Sequence, residues 1–161
     1  MFFTWELLIQ IITSFVTAVA FAVMFRINKH RLFMVGLCGL VTYAVYYTLL
    51  FFTESLFVAA FVSSMATALY AEIFARVLHA PTVIFVLPGI IPTVPGGYLY
   101  RGMRDLLLRN ISGTAENFIA TLEVGLGIAG GIVAVSIIFG IILDAIASHK
   151  NKKAKKSVDI H

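Results

Sequence analysis

Five long apolar stretches, separated by short polar or charged segments, dominate the sequence. They cover approximately residues 5–25, 32–52, 56–78, 82–100 and 116–143. Each is close to the roughly 20 apolar residues that a helix needs to cross a bilayer. The pattern predicts an all-α integral membrane protein with about five transmembrane helices. We expect a single membrane domain over residues 1–148, followed by a basic tail at residues 149–161.

Composition agrees with the membrane class. The chain is 60% hydrophobic and 12% charged, whereas soluble domains carry roughly 25% charged residues. The net charge of +4 comes from loops and the tail, so it indicates membrane orientation and gives no expectation of nucleic-acid binding. The first apolar stretch lacks a preceding basic region, so it is predicted to be a transmembrane helix and not a signal peptide.

The distribution of Lys and Arg predicts the orientation. With five spans and the N-terminus outside, nine of the twelve Lys and Arg residues lie inside. A re-entrant fourth segment would leave seven inside and would place the lysine-rich tail outside. Because cytoplasmic segments are enriched in Lys and Arg, the sequence favours the N-terminus out and the C-terminus in, in the cell membrane. The tail is predicted to be cytoplasmic and disordered.

The fourth apolar stretch is interrupted by residues that break helices. Proline removes a backbone donor and clashes with the preceding turn. Broken backbone at membrane depth is tolerated only where protein or a water-filled cavity surrounds it, and transporters use such breaks to bind substrates and ions. The sequence therefore predicts a broken fourth helix that lines a substrate path, with a kink that only serves packing as the alternative. The predicted break consists of Pro88, Gly89, Pro92, Thr93, Pro95, Gly96 and Gly97.

The same stretch carries a family resemblance. Pro88-Gly-Ile-Ile-Pro-Thr-Val-Pro-Gly-Gly, followed by Tyr100-Arg101-Gly102-Met103, resembles the threonine/serine exporter family, and more specifically its small, C-terminal-half subunit. Ala71-Glu72-Ile73 and Ala80-Pro81 fit the same pattern. The resemblance implies export of threonine and serine driven by the proton gradient, although some relatives are thought to move dicarboxylates such as succinate. It also implies a larger membrane partner, because in the family this half is either fused to a larger half or encoded separately.

Three charged residues are candidates for the substrate or ion path. Arg101 follows the motif and could attract a substrate carboxylate, or its side chain could simply extend to the headgroups. Glu72 could carry a coupled proton, because ionisable groups inside membranes tend to mark ion pathways. Its alternative is an interfacial ion pair with Arg76, four residues later. Glu123 is a second proton candidate, two turns deeper in its span than Glu116.

Two further patterns concern contacts between helices. Four polar residues share one face of the first span and could either bond to neighbouring helices or line a path, together with Tyr43. A ridge of small residues in the third span and a Gly127/Gly131 pair in the fifth permit close packing. A second hypothesis uses these small-residue faces: a structural or assembly subunit that does not transport. The polar residues are Gln10, Thr13, Ser14 and Thr17, and the ridge is Ala59, Ser63, Thr67, Ala71 and Ala75.

The remaining residues give weaker expectations. Charges spaced along residues 101–109 predict a short amphipathic helix, and Ser112 or Thr114 is predicted to cap the last helix. The lone Cys38 is predicted to be a small buried residue. No motif predicts an enzyme, a metal site or another cofactor. Whether the chain forms homo-oligomers is left open.

Overall fold

The helical prediction is confirmed by a computed structural model, which describes the backbone of residues 2–158 and the side chains of Trp5 and of residues 7–142. Helices α1, α2, α3 and α6 are each long and apolar enough to cross a membrane, and α4 and α5 form a bent pair that passes the same test together. Short 3-10 turns precede α2 and follow α4. The helices are α1 Phe2–Met24, α2 Leu32–Thr53, α3 Leu56–Val77, α4 Val83–Ile90, α5 Gly96–Leu107 and α6 Ile111–Val158.

Helices α3 and α6 run in the same direction. Near the beginning of α3, a Cβ atom placed at Gly127 would lie 2.9 Å from the Ala60 Cβ atom. Near its end, the Arg76 guanidinium lies 5.1 Å from the centroid of the Phe139 ring. Two parallel helices must be joined by a segment that returns across the membrane. The bent α4–α5 pair brings the chain from the end of α3 back to the beginning of α6, as a broken fifth crossing would.

The interruption of the fourth crossing is shorter than the sequence suggests. Helix α4 continues through Pro88, and the chain becomes extended only at Val94, where ψ is 133°. The helix resumes at Gly96, after a bend of 47°. Pro88 is tolerated because it removes a single hydrogen bond, whereas Pro92 and Pro95 remove donors in close succession. The amphipathic helix accordingly begins at Gly96, earlier than the predicted start at residue 101.

Small residues bring α2, α3 and α4 into close contact. The hydroxyls of Thr42 and Thr67 are hydrogen-bonded at 2.7 Å. A Cβ atom placed at Gly89 would lie 2.6 Å from Cys38 Sγ, and Cys38 is buried as predicted. The ridge on α3 is also confirmed as a packing surface, since all five of its residues, Ala59, Ser63, Thr67, Ala71 and Ala75, are buried.

The predicted cap of the last helix is wrong. Helix α6 begins at Ile111, so the preceding residue, Asn110, occupies the capping position. Its Oδ1 atom accepts hydrogen bonds from the backbone N–H of Gly113 at 3.3 Å and from the Ser112 hydroxyl at 3.1 Å. Ser112 and Thr114 lie inside the first turn, where the Thr114 hydroxyl donates back to the Asn110 carbonyl at 2.7 Å. Asparagine is among the strongest capping residues.

A buried carboxylate fixes the turn between α5 and α6. Asp105 is 7% exposed and accepts hydrogen bonds from Arg104 Nη2 at 2.9 Å and from Asn117 Nδ2 at 3.2 Å. A Cβ atom placed at Gly113 would lie 2.8 Å from Asp105 Oδ2. This polar contact holds α5 antiparallel to the beginning of α6.

Helix α6 continues past residue 148 and reaches Val158. The side chains after Ile142 lie outside the described residues, as does the whole of residues 159–161. The expected domain boundary at residue 148 and the expected disorder of the basic tail therefore stay predictions.

One prediction concerns the end of α2. Glu54 adopts a left-handed conformation with φ of 52°, which costs a residue other than glycine roughly 1–2 kcal/mol. Glu54→Gly is expected to raise the midpoint of thermal unfolding in detergent, because glycine adopts this conformation without a steric penalty. Glu54→Ala keeps the penalty and is the control. Equal midpoints for the two variants would show that the charge, and not the backbone, sets the effect.

Candidate functional site

A cavity of about 230 Å³ lies at the break between α4 and α5. One wall comes from the second half of α2, and the other comes from the break and the first turns of α5. The volume is below the roughly 300–1,000 Å³ typical of pockets for drug-sized ligands, so it suits a small metabolite. We call it the break cavity; its walls are Tyr43, Tyr46, Leu50, Pro92, Thr93, Val94, Pro95, Gly97, Tyr98 and Arg101.

A second cavity of about 120 Å³ adjoins the first along α1. Tyr43 and Pro92 line both cavities. The Tyr43 hydroxyl donates a hydrogen bond to Gln10 Oε1 at 3.1 Å. The hydroxyls on α1 bond to carbonyls of their own helix and not to a neighbouring helix. The polar stripe of the first span therefore faces a cavity. We call this the α1 cavity; its walls are Gln10, Thr13, Ser14, Thr17, Tyr43 and Pro92.

The backbone at the break presents free donors to the break cavity. The Thr93 hydroxyl satisfies the Ile90 carbonyl at 2.8 Å, and the Leu99 N–H bonds to the Pro95 carbonyl at 3.1 Å. Among the described residues, no acceptor is bonded to the N–H groups of Gly97 and Tyr98 in the first turn of α5. A helix N-terminus carries partial positive charge and binds anions.

Arg101 adds a full positive charge on the same wall. Its Nε atom donates to the Gly97 carbonyl at 3.1 Å, and its guanidinium lies 4.9 Å from the centroid of the Tyr98 ring. These contacts orient the side chain and leave its two terminal nitrogens without an acceptor among the described residues. The guanidinium and the beginning of α5 together form a wall suited to a carboxylate.

Glu72 is placed at the other end of α4. Its carboxylate pairs with Arg76 at 2.9 Å, the contact that the sequence offered as the alternative to a proton-carrying role, and lies 3.5 Å from the Thr82 hydroxyl just before α4 begins. The segment Val83–Thr93, about 16 Å long at 1.5 Å per residue, separates this pair from the break cavity. Glu72 thus contacts the beginning of α4 and does not line the cavity.

Glu123 lies nearer the end of the bundle than the sequence suggests. It is exposed on α6. It lies four residues, or about 6 Å along the helix axis, before Gly127. Gly127 faces Phe57 near the beginning of α3. This puts Glu123 level with the beginning of α3 and not deep in the crossing. The sequence could not show this, because the depth depends on how far α6 is shifted along α3.

Of the seven predicted break residues, the structure brings four to the cavity, together with Arg101, and leaves three outside. Pro88 and Gly89 are buried against α2 and α3 and serve packing. Gly96 is exposed and has open space around it. The residues that line the break cavity are Pro92, Thr93, Pro95, Gly97 and Arg101.

Three important residues were missed by sequence reasoning. Tyr46 was not among the candidate residues of the sequence, and it lines the break cavity. Tyr98 stands three positions before Arg101, a helical spacing that would have predicted the stacking of the two side chains. The burial of Asp105 had no sequence signal, because it depends on Asn117 from another helix.

The chain matches the model of a known protein family. The family model described as "Threonine/Serine exporter, ThrE" matches residues 10–138. The matched residues include those that line both cavities, those of the break, and the Gly127/Gly131 pair through which α6 contacts α3. Searches of curated proteins and of solved structures found no match.

Proposed function

Because this chain belongs to the threonine/serine exporter family, we propose that it is a subunit of a secondary transporter that exports small polar metabolites across the cell membrane. Threonine and serine are the first candidates. The observation that carries the proposal is the break cavity, whose wall combines the Arg101 guanidinium with the beginning of α5. Dicarboxylates such as succinate are the alternative substrates, since the same wall suits any carboxylate.

In the proposed mechanism, the substrate carboxylate binds to Arg101 and to the free N–H groups of Gly97 and Tyr98. Both contacts are charge-assisted hydrogen bonds, which are stronger than those between neutral groups. The ammonium group of an amino acid can face the rings of Tyr43 and Tyr46, which attract cations. The α1 cavity then continues the route along Gln10 and Thr13.

We further propose that a larger membrane subunit completes the transporter. Five crossings are few for a complete alternating-access transporter, and the family divides its transport machinery into two halves, as the resemblance implies. The assembly hypothesis, in contrast, required free small-residue surfaces for a partner. The α3 ridge packs against α2 and α4, and Gly127 and Gly131 pack against α3, so of the glycine face of α6 only Gly125 and Gly140 have open space.

Proton coupling is assigned to Glu72 as a further part of the proposal. Glutamine cannot ionise, so Glu72→Gln is expected to abolish the dependence of efflux on the pH gradient while leaving the protein folded. Efflux would be measured in vesicles with and without an imposed gradient. Glu123→Gln is tested in parallel. Retained pH dependence in Glu72→Gln removes Glu72 from the mechanism, and its loss in Glu123→Gln instead would assign the proton to Glu123.

The function is tested by efflux of threonine, serine and succinate from preloaded cells. Three strains are compared: this chain alone, the larger family subunit alone, and both together. Efflux only with both supports the two-part exporter, and the preferred substrate identifies the class. Equal efflux with the larger subunit alone would show that this chain does not transport.

A further inference from the structure

We infer that the open side of the α1 cavity is the surface on which the larger subunit docks, and that a partner helix presents a carboxylate there. The inference rests on the proposed function, because it assumes an amino-acid substrate and a second subunit. It goes further by assigning the docking face and the chemistry that the partner must supply.

The first observation is the exposure of polar groups within an apolar span. Gln10 and Thr13 lie inside the apolar window of α1, Leu7–Met24, and both are exposed on the outside of the bundle. The Thr13 hydroxyl is satisfied by its own helix, through the Gln10 carbonyl at 2.9 Å. No described group accepts a hydrogen bond from Gln10 Nε2.

An amide with free donors is unfavourable against lipid, where each unsatisfied polar group costs several kcal/mol. The neighbouring surface of α1 behaves differently, since Ile12 is 60% exposed and Val16 is 57% exposed. Those side chains suit lipid. The polar edge of α1 is therefore the part that another polypeptide must cover, and that polypeptide must offer an acceptor to Gln10.

Charge identifies the acceptor. The two cavities are lined by a single ionised side chain, Arg101, and by no described acid. Asp105 is held by Arg104 and Asn117, and Glu72 lies beyond the other end of α4. A zwitterionic substrate matches Arg101 with its carboxylate, but among the described residues of the two cavities its ammonium meets the rings of Tyr43 and Tyr46 and no anion. A carboxylate on the partner would bind the ammonium and accept from Gln10.

A second copy of this chain fits less well than a different subunit. In a two-fold symmetric pair, the same surface patch lies on both sides of the interface, so Gln10 would meet only groups of this same face of the chain. Its Oε1 already accepts from Tyr43. Such a pair would bring a second arginine and no described acid.

The docking face is tested with tryptophan at two adjacent exposed positions of α1, with both subunits co-expressed. Thr13→Trp blocks the polar edge and is expected to reduce copurification of the larger subunit by about tenfold or more, as at an interface hot spot. Ile12→Trp adds the same bulk on the lipid side and should leave copurification unchanged. Equal copurification in the two variants overturns the docking face. Because no substrate is needed, this assay can succeed even where export fails.

A photo-reactive residue at position 13 then identifies the contact. The expected product is a crosslink to a transmembrane peptide of the larger subunit that contains Asp or Glu. Changing that acid to its amide should lower threonine efflux by about tenfold or more, in the range of a charged hydrogen bond, while Glu6→Gln in α1 of this chain should not. A crosslink to a second copy, a peptide without an acid, or equal loss in Glu6→Gln overturns the inference.

Discussion

Replacing Gly131 by alanine is expected to destabilise the protein by about 1–3 kcal/mol, the usual cost of overpacking a tight contact. A Cβ atom at this position would overlap both the Ser64 hydroxyl and the Phe61 carbonyl. The carbonyl belongs to the backbone of α3 and cannot rotate away, so α6 must move outward. The measurement is the midpoint of thermal unfolding in detergent.

Gly125 provides a matched control in the same helix. A Cβ atom placed there meets nothing within 4 Å, so Gly125→Ala adds the same methyl group without a clash. Alanine is favoured over glycine by about 0.5–1 kcal/mol inside a helix, so this variant should be slightly more stable. The two variants are expected to shift the midpoint in opposite directions. A shift of equal sign would show that the α3–α6 contact is not as close as described.

Replacing Arg101 by glutamine is expected to weaken substrate binding by roughly 10- to 100-fold, because hydrogen bonds to charged groups contribute about 1.5–3 kcal/mol. The change removes the one positive side chain that the described residues contribute to the break cavity and leaves the beginning of α5 in place. The substrate affinity of Arg101→Lys should lie between those of the unaltered protein and of Arg101→Gln. An ammonium keeps the positive charge but lacks the planar pair of donors of a guanidinium. The measurement is the concentration dependence of efflux.

Arg109→Gln is the control for the effect of charge. Arg109 lies on the same α5–α6 hairpin but outside the cavity walls, and it is exposed. Its removal lowers the net charge equally and should leave the concentration dependence unchanged. If both variants lose affinity to the same degree, long-range attraction and not direct carboxylate binding accounts for the effect.

The crossings were predictable because long apolar runs end at charged loops. The limits of α2 and α3 agree with the prediction to within a residue. The position of the break was less predictable, since a proline such as Pro88 is compatible with a helix when it removes only one bond. The start of α5 was missed because Gly96 and Gly97 suggested a loop, whereas glycine is also accepted in the first turn of a helix.

The candidate site was predicted in its residues more than in its arrangement. The motif pointed to Pro92, Thr93 and Arg101, because their chemistry is unusual in an apolar span, and all three line the break cavity. It could not show which acids lie near them. Glu72 and Glu123 look similar in sequence, but their distances from the break follow from helix lengths and from the relative shift of α3 and α6. Such shifts are decided by side-chain packing between distant parts of the chain.

The parallel contact of α3 with α6 also affects how the protein is made. The Ser64 hydroxyl reaches the Gly127 carbonyl at 3.3 Å across 63 positions of sequence. At a synthesis rate of roughly 5–20 residues per second, α3 waits on the order of several seconds for its neighbour. During that interval Ser64 and the surface of α3 that later contacts α6 face lipid or the insertion machinery. The finished bundle therefore forms late, and chains that terminate before α6 would leave this surface of α3 uncovered.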